Sequence, residues 1–244
     1  DDSDFDFYFT EFPNYNNQSE YQYPNLNIAF FGENLFYLSD KLSITPGFRF
    51  EHIKTESAGY YKKINLDGAG NVILNDTIYN NNLRERSFLL FGTGISYKSI
   101  TELYGNISQN YRSVTFADMS IINPAYSIDP EISDEKGHTI DFGIRGEHNK
   151  KVSYDLSLFR LFYKDRIGFI QKAYDDGSVK SEKGNVGNAL IFGLESLIDF
   201  NLNEIFFKHN HNILSFYINS SFINSEYIKS ERNGVQGNDV EFVP

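Results

Sequence analysis

The sequence predicts an all-β chain, an antiparallel transmembrane β-barrel to which these 244 residues contribute about nine strands. Three observations predict it. Apolar residues recur at every second position through most of the chain. Short and long connections strictly alternate. Mean hydropathy is −0.43 while aromatics reach 16 %. No segment offers the three- and four-residue apolar spacing of a helix. High polarity with many aromatics and no helical period is what strands with one apolar and one polar face produce.

In chain order, strands are expected near 3–10, 23–38, 41–56, 85–97, 101–112, 137–147, 151–167, 186–202 and 212–228. Phe5, Phe7, Tyr8 and Phe9 in the first suit an interfacial aromatic girdle. The second carries aromatics in both phases between Asn27 and Leu38. In the third, Leu42, Ile44, Phe48 and Phe50 oppose Ser43, Thr45, Gly47, Arg49 and Glu51. The strand at 85–97 contains Gly92 and Gly94, which allow bending or close packing rather than forming a phosphate loop. The clearest alternation runs from His138 to Arg145, where Ile140, Phe142 and Ile144 oppose Thr139, Asp141, Gly143 and Arg145. Val152, Tyr154, Leu156 and Leu158 alternate, but Phe159, Leu161 and Tyr163 change phase. A bulge or aromatics reaching inward would both produce that change. Leu194, Ile198, Phe200 and Leu202 oppose Glu195, Asp199 and Asn201, and Leu214, Phe216, Ile218 and Phe222 oppose Ser215, Tyr217, Asn219 and Ser221.

The connections carry as much information. Ser39-Asp40, Lys98 to Ile100 and His148 to Lys150 are short, and a slightly longer one surrounds Glu204 to His211. Residues 11–22, 57–84, 113–136, 168–185 and 229–239 are read as long polar loops. Compact soluble domains connect their elements with about 4–6 residues. Outer-membrane barrels combine short periplasmic turns with long extracellular loops. The polar faces then line a lumen. With the sheet turned the other way, Arg145 would meet lipid at a cost of roughly 2–4 kcal/mol at the midplane. Asp67 to Asn71 and Asp175 to Ser178 are turn chemistry inside long loops.

Lys and Arg number 22 against 33 Asp and Glu, a net charge of −11 that excludes a nucleic-acid partner needing a basic face. Without cysteine there is no disulfide, thiolate metal site or thiol nucleophile. No apolar run approaches the roughly 18 residues of a membrane helix. The chain opens at Asp1 and stops in Val240-Glu241-Phe242-Val243-Pro244, patterned like a further strand. A piece of a longer protein is therefore expected.

Several stretches then become familiar in order and spacing. They are Phe31-Gly32-Glu33-Asn34, Leu42 to Glu51, Asn110-Tyr111-Arg112-Ser113-Val114-Thr115-Phe116-Ala117-Asp118-Met119 and Asp134-Glu135-Lys136-Gly137. Tyr163-Lys164-Asp165-Arg166-Ile167-Gly168, Asn185-Val186-Gly187-Asn188 and Gly193-Leu194-Glu195 follow. Together they resemble a TonB-dependent outer-membrane receptor, of the ferric-citrate (FecA-like) type found in Bacteroidota. The resemblance implies a larger barrel of about 22 strands plugged by an N-terminal domain. It implies residence in the outer membrane of a Gram-negative bacterium, among its lipid and lipopolysaccharide. It further implies uptake of an iron(III) chelate such as ferric citrate, energised by the TonB–ExbB–ExbD complex through an N-terminal box. Residues 1–244 are then part of one barrel domain, with the plug and the TonB box not in this chain. Iron would arrive already chelated, as substrate, and no cofactor or protein-bound metal is required. A small self-contained barrel with a binding or structural role, or a SusC-like glycan importer, is the alternative.

A ferric chelate is anionic, and guanidinium pairs carboxylates in bidentate fashion. Arg112, at the entry to a long loop, and its neighbour Thr115 are candidate ligand contacts, as are Arg84 and Arg86 at the base of the longest loop. The bland use of Arg112 is an ion pair with a neighbouring strand's carboxylate, and that of Arg84 and Arg86 is solvation. Arg145 and Arg49 are expected to form a ladder with Glu51, Asp141 or Glu195. His209 and His211 read as a solvated pair, while His52, His138 and His148 are scattered. Asp4/Asp6 and Asp175/Asp176 lack EF-hand spacing. Tyr60, Tyr61, Tyr79 and Tyr126 are the residues a sugar platform would use. An enzyme is not expected: a hydrolytic Ser113, His138 and Asp118 or Asp134 set has no motif to bring it together.

Overall fold

A computed structural model describes residues 19–119, 126–174, 177, 179–206, 214–230 and 232–240. The alternating segments form the strands β1 (Ser19–Gln22), β2 (Asn25–Glu33), β3 (Phe36–Tyr37), β4 (Leu42–Leu66), β5 (Val72–Lys98) and β6 (Thr101–Arg112). A short helix α1 (Phe116–Met119) and β7 (Tyr126–Ile128) follow, then β8 (Glu135–His148), β9 (Val152–Ala173), β10 (Val179–Asn201), α2 (Leu202–Phe206) and β11 (Ser215–Lys229). They make one sheet in the order β1-β4-β5-β6-β8-β9-β10-β11, with β2 and β3 also on β4 and β7 on β10. Every pairing is antiparallel except the parallel β7–β10 contact. The sheet does not close on itself among the described residues.

Register assigns the faces. Phe48 stands opposite Phe91, Phe50 opposite Leu89, Ile140 opposite Ile107, and Phe142 between Gly105 and Leu158. Leu194 lies between Leu158 and Phe222, so one apolar phase crosses the whole sheet. We call this the outer face; most of these side chains are exposed. Asn106, Asp141, Arg145 and Glu195 share the opposite, inner phase. β8 passes to β9 through Asn149, Lys150 and Lys151; Asn149 and Lys150 take positive φ (52° and 59°), and the Lys151 amide closes the turn on the His148 carbonyl at 2.9 Å.

The phase change after Leu158 involves no bulge at Phe159. The β8–β9 register is continuous from Lys136↔Lys164 to His148↔Val152, so Phe159 and Leu161 point inward. Gly193, opposite Phe159, leaves room for the ring: a Cβ there would lie 2.7 Å from it. A bulge sits further on, where Tyr163↔Ala189 gives way to Arg166↔Gly187 and Asp165 adopts φ 57°.

Two segments read as loops are largely strand. β4 and β5 remain paired up to Leu66↔Val72, and β9 and β10 up to Ala173↔Val179. Polar residues stand on both faces of these stretches, and some of them, Ser57 and Glu182, are buried under other segments, so the backbone ladder persists after the hydropathy alternation has ended. At the β4–β5 tip the Asp67 carboxylate accepts the amides of Ala69 (2.9 Å) and Asn71 (2.8 Å), and Gly70 takes φ 87°. β1, α1, β7 and α2 also fall where loops or turns were expected. The strand expected at 3–10, with its aromatic residues, lies outside the described residues, as do Asp4, Asp6, Asp175, Asp176, His209 and His211.

Buried residues lie mainly where two segments fold back. Val114, Met119 and Ile132 pack with Ile128 and Ile167. Val240, with Val235, packs on Val186, Ala189 and Tyr227. The first cluster belongs to the β6–β8 connection, which sets α1 near β4 and adds β7 beside β10.

Candidate functional site

The β6–β8 connection is held by carboxylates. Thr115 precedes α1, and its amide and hydroxyl both donate to Asp118 Oδ2 at 2.9 Å, half of a capping box. Asp118, 1 % exposed, also takes Lys183 Nζ at 2.5 Å and Arg112 Nη2 at 3.2 Å. Burial pushes the Asp118 carboxyl up, but Lys183, the Thr115 amide and Arg112 outweigh that and hold it below the usual carboxylate range. Arg112 spans to Glu135 Oε1 (3.0 Å), which also accepts the Ile167 amide (2.9 Å). Lys183 Nζ further donates to the Ala117 carbonyl at 3.2 Å.

A second node lies beside it. β5 pairs with β6 only from Gly92↔Ser108 to Lys98↔Glu102. Further up, β5 remains paired with β4 and β6 with β8, and a cleft of about 580 Å³ lies between Glu85–Leu90 and Gln109–Tyr111. Side chains bridge it. The Phe91 amide donates to Gln109 Oε1 (2.9 Å), and the Phe88 and Tyr111 rings stack at 3.6 Å between centroids. Arg86 Nε meets both oxygens of Asp134 at 2.8 and 2.9 Å while its Nη2 donates to the Val114 carbonyl at 2.7 Å. Asp134 also accepts the Val114 amide (2.7 Å) and the Tyr111 hydroxyl.

The β9 bulge forms the third node. Asn185 Nδ2 donates to the carbonyls of Asp165 (2.5 Å) and Ser133 (2.9 Å), and its Oδ1 accepts the Ser133 amide (2.7 Å). Asn188 Oδ1 accepts the Asp165 amide at 3.2 Å. Arg232 then joins the later segment to the first: its Nη2 lies 2.9 Å from Asp129, and its Nη1 lies 3.6 Å from Glu182 Oε1. Lys172 reaches Glu182 Oε2 at 2.6 Å, and that carboxylate raises the Lys172 ammonium above its ordinary value.

The structure therefore brings three of the four candidate ligand residues together, Arg112, Thr115 and Arg86, and turns their donors toward protein carboxylates. Arg84, half-buried on the phase of Arg86, has no side-chain hydrogen bond or ion pair among the described residues. Arg145 does form an inner-face ladder, but with Glu102 rather than Glu51, Asp141 or Glu195: two bonds of 3.0 and 2.9 Å, with Tyr104 beneath it at 5.2 Å. Glu102 stands opposite it in register and is the shorter reach. Arg49 does pair with Glu51. His138 lies on the outer phase, stacked on Phe162 at 5.2 Å, and does not meet Asp118 or Asp134. His52 bonds Ser87 at 2.9 Å. Tyr60 and Tyr79 touch edge to face on the outer phase, away from the clasp. No group of three His, Asp or Glu fit to hold a metal ion occurs among the described residues. Lys183 was missed by sequence reasoning, whereas Asp118, Asp134, Glu135 and Asn185 lay within stretches already quoted.

The comparisons with known proteins agree with this architecture. A sequence model of the family described as "TonB dependent receptor-like, beta-barrel" matches residues 1–244. Among solved structures, the ferric yersiniabactin uptake receptor FyuA from Yersinia pestis superposes with a TM-score of 0.65 at 21 % identity, over 93 % of this chain and 30 % of that one. The copper transporter OprC gives 0.59 at 15 % identity, over 86 % and 30 %. The unliganded ferric citrate transporter FecA gives 0.53 at 16 % identity, over 93 % and 39 %. At these identities the likeness is one of fold, and the chain spans about a third of each structure's length. No curated protein sequence matches the chain.

Proposed function

The chain belongs to the TonB-dependent receptor-like β-barrel family, and from that premise we propose that it serves in TonB-dependent uptake of an iron(III) chelate, such as ferric citrate, across an outer membrane. The observation that carries the reading is the family match along all 244 residues. The two phases of the sheet support it, one apolar toward lipid and one polar toward a lumen. The chelate class is supported by the cations at the inner rim. Arg84 has no side-chain partner among the described residues, and Arg112 is 43 % exposed although paired. Two of the matched folds are receptors for ferric chelates by their descriptions, and one carries copper. The partners follow from the same reading: the TonB–ExbB–ExbD complex for energy, outer-membrane lipid around the barrel, and iron as chelated substrate rather than resident cofactor.

The test is uptake of radiolabelled iron(III) citrate by cells with and without the gene, each with and without a protonophore. Uptake lost on deletion and abolished by the protonophore is the expected result. Uptake unchanged by deletion, with copper or oligosaccharide import lost instead, overturns the iron assignment.

A further inference from the structure

Lys136 and Lys164 are direct partners in the β8–β9 register, on the outer phase, and both are exposed. Like charges directly opposite on a sheet repel, their Cβ atoms lying about 4.5–5.5 Å apart. Lys136 has no ion pair among the described residues, and the nearest carboxylate to Lys164 is the exposed Asp165 at 4.0 Å. In a chain of net charge −11 such a pair stands out.

Its position is as informative as its charge. Directly below, on the same phase, the stacked His138 and Phe162 close the apolar band of Ile140, Phe142 and Leu158. From the Asn149–Lys150 turn, about twelve residues at about 3.3 Å each on strands tilted about 45° place the lysines about 28 Å up. The apolar band of such barrels is about 25 Å tall. Two further cations of this face lie on β9 itself and on β11. Arg160 is exposed within the band opposite Ile140, on a stem long enough to lift its charge toward the headgroups, and exposed Lys229 stands opposite Asn188. Glu226, opposite Leu190, is an acidic residue of the same face, as are Glu56 and Glu85 on β4 and β5.

We propose that Lys136 and Lys164 together bind a phosphate of an anionic glycolipid of the surrounding leaflet, with Arg160 and Lys229 flanking it. An anion between the two ammonium groups removes their mutual repulsion, and its acyl chains then lie along the Phe142 and Leu158 stripe. A soluble anion meets the same charge but leaves that stripe without a role. The inference rests on the chain being an outer-membrane barrel in the orientation given above.

The test uses the full-length protein in detergent, observed by native mass spectrometry with bisphosphorylated lipid A and with the same lipid dephosphorylated. Wild-type protein is expected to prefer the phosphorylated form by about tenfold. Lys136→Gln with Lys164→Gln should lose the preference at unchanged thermal midpoint, and Lys136→Arg with Lys164→Arg should restore it. A preference retained by the Gln pair overturns the site. Equal competition by inorganic phosphate overturns the lipid assignment. Membrane fractionation separates the two levels. Protein found in the outer membrane without the preference refutes the site alone, and protein found elsewhere refutes the barrel reading and the site with it.

Discussion

Arg86 on β5 and Asp134, the residue before β8, meet at 2.8 Å across the interval where β5 and β6 have parted. Their side chains are 11 % and 16 % exposed, so the pair is largely withdrawn from water. It ties the wall on one side of the cleft to the folded-in connection on the other, because both partners also bond the backbone of Val114.

Truncating Asp134 leaves a buried guanidinium, the Tyr111 hydroxyl and the Val114 amide without their acceptor. Asp134→Ala should cost about 3–5 kcal/mol, the scale for removing one partner of a buried pair. Arg86→Leu with Asp134→Leu should cost less than Asp134→Ala alone, since no uncompensated charge remains. Thermal midpoints in detergent for the single and double variants decide it.

Asp118 makes the clasp pH-sensitive in one direction. Its folded-state value is depressed, so its contribution is present above the unfolded value of about 3.9 and is lost as pH falls through the folded value. Protease resistance of residues 113–119 should hold from neutral pH down to about pH 4 and fall below it. Asp118→Asn should open the segment at neutral pH and flatten the profile. Resistance in that variant equal to wild type, measured by proteolysis with mass-spectrometric mapping, would show that the carboxylate does not hold the segment.

Two strand glycines should respond oppositely to a methyl group. At Gly137 a Cβ would stand 1.9 Å from the Phe162 carbonyl oxygen, so β8 and β9 must separate beside Glu135. At Gly94 the nearest atom is 3.9 Å away. Gly137→Ala should cost about 3 kcal/mol, whereas Gly94→Ala should be neutral or stabilise by about 0.5 kcal/mol through lower backbone entropy in the unfolded chain. Chemical unfolding in detergent compares the two directly.

These elements differ in how far the sequence exposes them. The strand around Ile140, Phe142 and Ile144 is legible because its apolar residues keep to one face. Asn80 to Arg84 and Lys180 to Gly184 are strands too, yet polar residues on both faces, Glu182 among them although it is buried, remove the pattern that would reveal them. Thr115 and Asp118 lie three residues apart and carry a capping signature. Lys183, which neutralises Asp118, lies far along the chain and enters only when β7 is laid beside β10. The bond from Ile167 to Glu135 and the Asn185 clamp on Asp165 depend on a bulge that periodicity does not encode. The quoted stretches were recognisable separately, whereas their convergence on one clasp is a property of the folded sheet.

Arg84 and Arg112 separate ligand binding from support. Arg112 bridges Asp118 and Glu135, so Arg112→Ala removes the one cation they share, leaving Asp118 with Lys183 and Glu135 without an ion pair among the described residues, and should destabilise the connection by about 3 kcal/mol. Any loss of chelate binding in that variant would then follow the loss of structure. Arg84 has no such partners among the described residues, and Arg84→Ala should change the thermal midpoint little, since no buried pair is broken. If the rim receives an anionic chelate, the same change should weaken ferric citrate binding by about tenfold, the scale of one charge-assisted hydrogen bond. Arg84→Lys should recover part of that affinity, because it restores the charge without the planar fork. Calorimetric titration of the detergent-solubilised protein, read beside the thermal midpoints, distinguishes the cases. Unchanged affinity in Arg84→Ala would remove Arg84 from the ligand site, while the structural role of Arg112 would stand or fall on its own midpoint.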